Sequence, residues 1–208
     1  MKGLLLKDLY MMIKYCKVYF VISIVAIAFS FAGEENMFWV FYPCLLSGMI
    51  PVNLLGYDER SRWLQYSETI PYTKAQIVSG KFLIGLLTQL SMLLLTGIAQ
   101  ALRMSLSGTF VFGAFLTLMM LFLILALLSS AITLPFVFKL GVEKGRIAHY
   151  FMVGIVCSGS VIFSNMLSGE PSVVLRMNSI LPVICLVGVG IYALCWYLSI
   201  VFYQKREL

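Results

Sequence analysis

Six apolar runs, at residues 18–32, 37–56, 82–102, 110–138, 150–167 and 179–203, occupy most of the 208-residue chain. A helix needs about 20 residues to cross a hydrocarbon core. With 61% hydrophobic and 12% charged residues, against about a quarter charged in soluble proteins, the chain reads as an all-α polytopic membrane protein with six transmembrane helices. The first run is short unless Tyr15 to Lys17 begin it with their charged ends snorkelling. The fourth, about 43 Å at helical rise, must tilt or project near Pro135. Pro43 and Pro51 flank Gly48 in the second, predicting a kink beside a substrate path.

The charges fix the orientation. One side collects Lys2, Lys7, Lys14, Lys17, Arg60, Arg62, Lys74, Lys81, Lys139, Lys144, Arg146, Lys205 and Arg206, 13 of the 15 cationic residues. The other holds Arg103 and Arg176, beside Glu34, Glu35 and Glu170. The positive-inside rule then places both termini in the cytoplasm. Because the net charge of +6 flanks apolar runs instead of forming one patch, it speaks for membrane orientation and against nucleic acid. Residues 1–17 carry Lys7, Lys14 and Lys17 on one side of a helix, as expected of a segment lying among headgroups. Ser30 and Ala32 before Gly33 would suit a signal cleavage site, but the long charged region and five further apolar runs favour a retained first span.

One polar stretch interrupts the pattern, YDERSRWLQYSETIPYTKAQIVSGK at residues 57–81. Asp58, Glu59, Arg60, Arg62, Glu68, Lys74 and Lys81 are each expensive in a bilayer, so the segment is expected in water, as short helices on the membrane surface. DERSRWLQYSET lacks Gly and Pro and spaces Arg60, Trp63 and Ser67 along one helical face. Pro71 breaks helix at Ile70, and Thr73 with Gln76 forms a capping box that starts the third span. A second, smaller loop is expected at residues 139–149, with Glu143, Lys144 and Arg146.

Several chemistries are missing. The closest approach to a phosphate-binding loop, AQIVSGKF, lacks the first Gly and the final hydroxyl, so any ATP is bound by a partner and no cofactor is expected. His149 stands alone, without a second metal-ligating His, and is expected at a membrane edge. Glu34 and Glu35 lack the Arg of an intramembrane peptidase pattern. Five cysteines without C-x-x-C spacing read as buried thiols, not as a metal site. In-span polar residues are uncharged, among them Ser47, Asn53, Gln89, Ser129 and Ser158, which argues against ion-coupled transport. Gly154 and Ser158, then Ser160 and Ser164, have the spacing of close helix packing, within the subunit or between subunits. A non-transporting scaffold that docks a cytoplasmic partner is the alternative.

MKGLLLKDLY at the start and YDERSRWLQYSETIPYTKAQIVSGKFL after the second span resemble permease subunits of ABC-2 type ATP-binding cassette exporters. The likeness is to the small bacterial six-helix group that includes phenol-soluble-modulin exporters. Asp58, Glu59, Ser61, Trp63, Pro71, Thr73, Lys74 and Lys81 carry the motif. The resemblance implies an N-terminal interfacial elbow helix and a coupling region at residues 57–81. Contacts to the ATPase would run through Asp58, Glu59, Arg60, Ser61, Arg62, Trp63, Pro71, Lys74 and Lys81, with lesser ones at Glu143, Lys144 and Arg146. It also implies two ATPase subunits, a second permease copy or a related permease, and alternating access in the bacterial plasma membrane. The expected cargo is an amphipathic or hydrophobic peptide toxin, antimicrobial or lipid-like molecule.

Overall fold

Leu4, Asp8 and Met12, spaced one helical turn apart, are all buried, and they seat the first helix against the rest of the protein. The computed structural model describes residues 2–31, 38–67, 72–108, 110–167 and 171–205, with side chains at 2, 38, 64–65, 159–167 and 171–180 left aside. Its helices are α1 Lys2–Tyr15, α2 Lys17–Ser30, α3 Phe38–Ser47, α4 Met49–Arg60, α5 Trp63–Ser67, α6 Lys74–Leu106, α7 Phe112–Leu140, α8 Val142–Leu167 and α9 Pro171–Lys205. No strand occurs among the described residues.

α1 and α2 meet at 58°. The joint is Cys16, wholly buried and clustered with Ile50 and Leu54 of α4 and Ile84 and Met92 of α6. Lys14 and Lys17 are exposed as the sequence suggests, but Lys7 turns inward to Asp58. α1 is thus a packed helix, with Leu4 in the main core beside Val52, Phe82 and Phe138.

The second apolar run forms α3 and α4, broken at Gly48. The break falls between the two prolines, where side chains of α7 and α8 crowd the backbone. A Cβ on Gly48 would land inside the Ser129 side chain, 2.9 Å from its Cβ, and 3.2 Å from His149 Cε1. Ser129 Oγ donates to the Leu45 carbonyl at 3.2 Å, and the Gly48 N–H donates to the same oxygen at 3.3 Å. One buried hydroxyl therefore bridges α7 to the broken helix.

α6 has 33 residues, about 50 Å at helical rise, and so outruns a hydrocarbon core of about 30 Å. α7 lies against α9 and α8, and α6 touches α3, α7 and α9. Tyr192 of α9 donates to the Phe82 carbonyl at 2.8 Å and Trp196 stacks on Phe82 at 5.7 Å, which ties α9 to α6.

Four helices among the described residues are long and apolar enough to cross a membrane: Trp39–Arg60, Lys74–Leu106, Phe112–Leu140 and Leu181–Lys205. The bent α1–α2 pair makes a fifth if taken as one span. The expected span at 150–167 falls on α8, whose side chains are described only as far as Ser158.

The loop expected at 139–149 is instead a tight turn. Gly141 at φ 91° ends α7, a conformation that favours glycine, and α8 starts at the next residue. Gly145 follows with Val137 Cα only 3.2 Å from where its Cβ would lie, which holds the first turn of α8 on the last turn of α7. Gly154 has nothing within 4 Å of its Cβ position among the described residues. Ser160 and Ser164 lie outside the described side chains.

Candidate coupling site

Three helices deliver four charges to one point. Lys81, on the second turn of α6, places Nζ 2.8 Å from Asp8 Oδ1 of α1 and 2.5 Å from Asp58 Oδ2 of α4. Lys7 Nζ lies 2.8 Å from Asp58 Oδ1 and 3.3 Å from Asp8 Oδ1. It also sits 4.1 Å over the Trp63 ring of α5. Asp8, Asp58 and Lys81 are each 1% exposed. Two lysines and two aspartates cancel, so the knot is neutral as a whole.

This overturns one expectation. Asp58 and Lys81 were expected in water because isolated charges are costly in an apolar setting, yet they are buried because each completes the other. Desolvating such a set costs several kcal/mol per ion before the mutual attraction returns it. The knot accordingly favours one docking of α1, α4 and α6 above any other. Asp8 was missed, although its place one turn from Leu4 and one from Met12 sets it on the apolar side of α1.

Local structure holds the knot's surroundings in place. Thr73 Oγ1 accepts from the Gln76 N–H at 3.3 Å while Gln76 Oε1 accepts from the Thr73 N–H at 3.3 Å. This capping box starts α6 as the sequence predicts. The short helices expected after Tyr57 take the form of two pieces among the described residues. α4 ends at Arg60, Arg62 takes φ 52°, and only Trp63–Ser67 resumes as α5. Burying Asp58 and stacking Tyr57 on Tyr15 at 4.5 Å fix the end of α4, while the Lys7–Trp63 contact pulls α5 back over α1. The left-handed residue, uncommon without glycine, joins the two.

Above the knot lies an exposed patch. Glu59, Arg60, Ser61, Arg62 and Tyr66 face outward, while Trp63 and Lys74 are half-buried, Lys74 with its Nζ 5.9 Å over the Tyr203 ring. Pro71 and Glu68 lie outside the described residues. Of the second-loop residues, Glu143 and Lys144 are exposed. Arg146 turns into the bundle, donating from Nη2 to Asn53 Oδ1 at 3.0 Å. His149, expected at a membrane edge, is 2% exposed and meets Thr133 Oγ1 through Nδ1 at 3.3 Å. Cys16 and Cys44 are buried and the other three thiols half-buried, none of them in a disulfide.

A neutral knot thus joins three helices beneath a mixed-charge patch. No curated protein and no solved structure matches the chain. The family described as ABC-2 family transporter protein matches residues 3–204. Nearly the whole chain is covered, so this multi-pass membrane protein belongs to the ABC-2 transporter family.

Proposed function

We propose that the chain is the membrane subunit of an ATP-binding cassette exporter that moves an amphipathic or hydrophobic molecule out of a bacterial cell. A separate ATPase supplies the energy. The observation carrying this reading is the exposed patch Glu59 to Arg62 standing on a buried knot that fuses α1, α4 and α6. A push on that patch moves three helices together, whereas a flexible linker would absorb it. On this reading the patch, both termini and α1 lie on the cytoplasmic side, and α1 is the elbow at the membrane surface. Glu143 and Lys144 make the lesser contact. Two ATPase subunits serve a pair of permeases, because a chain with this few spans is small for a translocation path.

Glu59→Lys combined with Arg60→Glu inverts two of the three exposed charges of the patch, leaving Arg62, without touching the knot. Co-expressed with its ATPase and reconstituted in liposomes, the variant is expected to keep its thermal stability. ATP hydrolysis by the complex should fall at least tenfold, the equivalent of about 1.4 kcal/mol of lost coupling. Unchanged assembly and hydrolysis would remove the patch from the ATPase interface. Stable assembly with no effect of the chain on turnover would point to a scaffold.

A further inference from the structure

A trough runs between α7 and α8, starting at the turn that joins them. Leu128, Ile132, Phe136 and Leu140 follow one another at four-residue spacing along α7 and line one side of it. On the α8 side, Met152, 6% exposed, lies at the floor and Phe151, 72% exposed, stands up as a wall. The volume is about 600 Å³, within the roughly 300–1,000 Å³ of pockets that hold small molecules. Lys144 lines the end beside the turn, and it is the one charged residue among the described lining residues. Because Lys144 is exposed, its methylene stem extends the apolar wall while the ammonium stands at the mouth.

Depth and charge bear on the occupant. From Leu140 back to Leu128 the trough runs about 18 Å at helical rise, a little over half of a hydrocarbon core of about 30 Å. Lys139 is the sole charged residue of α7, and charge is costly within the core, so the water boundary on this side falls at the last turn of α7. The trough is therefore one leaflet deep, with Lys144 at headgroup level. A helix of a second copy would cross both leaflets, whereas an acyl chain occupies one. Residues 139–146 carry Lys139, Lys144 and Arg146 against Glu143, and the start of α8 adds the positive end of its dipole, so the mouth favours an anion. Lys139 places its Nζ 5.1 Å over the Phe202 ring of α9, which leaves Lys144 as the cation at the trough.

We propose that the trough between α7 and α8 holds one acyl chain of an anionic phospholipid, with the lipid phosphate paired to Lys144. The site does not rest on the exporter reading, and its test uses the full chain without an ATPase, so either idea can fail alone. Detergent-solubilised chain, titrated with phosphatidylglycerol or phosphatidylcholine and weighed intact by mass spectrometry, should retain one phosphatidylglycerol per chain. It should bind that lipid at least about fivefold more tightly than phosphatidylcholine, the effect of one cation beside an anionic headgroup. Lys144→Gln should bring the two lipids level at an unchanged unfolding temperature, because the side chain is exposed. Lys14→Gln, which removes an exposed cation of α1, should leave the preference intact. Ala148→Phe puts a ring into the trough that Ala148 lines and should weaken both lipids; where it folds poorly, the Lys144→Gln and Lys14→Gln pair still decides. Equal retention of the two lipids, a preference that survives Lys144→Gln, or one lost equally with Lys14→Gln overturns the proposal. Displacement of the lipid by millimolar inorganic phosphate would make this a bare anion site and overturn it too. So would separation of paired chains by Ala148→Phe, which would give the trough to a second copy.

Discussion

Lys81→Met is expected to destabilise the protein by about 3–5 kcal/mol, the cost of removing one partner from a buried ionic set. Met fills most of the lysine's volume, so the loss is electrostatic: Asp8 and Asp58 stay buried and face each other with Lys7 as their remaining cation. At the 2–4 °C per kcal/mol typical of a chain of this size, the unfolding temperature in detergent should fall by roughly 10 °C. Lys7→Met should cost about 1 kcal/mol or less, because the Lys7 side chain is 25% exposed where that of Lys81 is 2% exposed. Replacing all four charges together, with Asn for Asp and Met for Lys, should recover much of the loss, since no ion is then left unpaired. Equal effects of Lys7→Met and Lys81→Met would mean that the knot does not distinguish its buried cation from its half-exposed one.

Gly48→Ala should be nearly as damaging, for a steric reason. The new methyl would occupy the place of the Ser129 side chain, and overpacking of this kind costs about 1–3 kcal/mol, occasionally more. Ser129→Ala in the same chain removes the nearest atom, Oγ, but should relieve only part of the loss, because the Cβ at 2.9 Å remains and the hydrogen bond to the Leu45 carbonyl is lost. Ser129→Gly removes the obstacle itself, against roughly 1 kcal/mol for a glycine inside a helix. A double-mutant cycle of Gly48→Ala with Ser129→Gly should show a coupling of at least about 1 kcal/mol, read from unfolding midpoints. Additive effects would mean that α3 and α4 yield at the break without disturbing α7.

Features set by neighbouring residues were legible in the sequence. The Thr73–Gln76 box lies within one turn, and it starts α6 where predicted. The kinked second helix followed from Pro43, Gly48 and Pro51, though only the tertiary approach of Ser129 and His149 shows why the break falls on the glycine. What escaped were contacts between distant residues. Lys81 meets Asp58 from 23 positions away and Asp8 from 73, and charges read singly can only be assigned to water. The same local reading spaced Arg60, Trp63 and Ser67 along one helical face and gave no sign of the break at Arg62, because nothing nearby reveals the pull of Lys7 on Trp63. It also left Arg146 in a loop, because the turn at Gly141 is tighter than a charged run suggests.

Cys16 reports most directly on whether α1, α4 and α6 move as one body, since it is wholly buried at the α1–α2 joint among residues of α4 and α6. With Cys16 as the sole thiol in the transporter assembled with its ATPase, labelling by N-ethylmaleimide should stay slow in the nucleotide-free, ATP-bound and hydrolysing states. Fast labelling in any one of those states would mean that α1 parts from α4 and α6 during the cycle, which a welded coupling block does not allow.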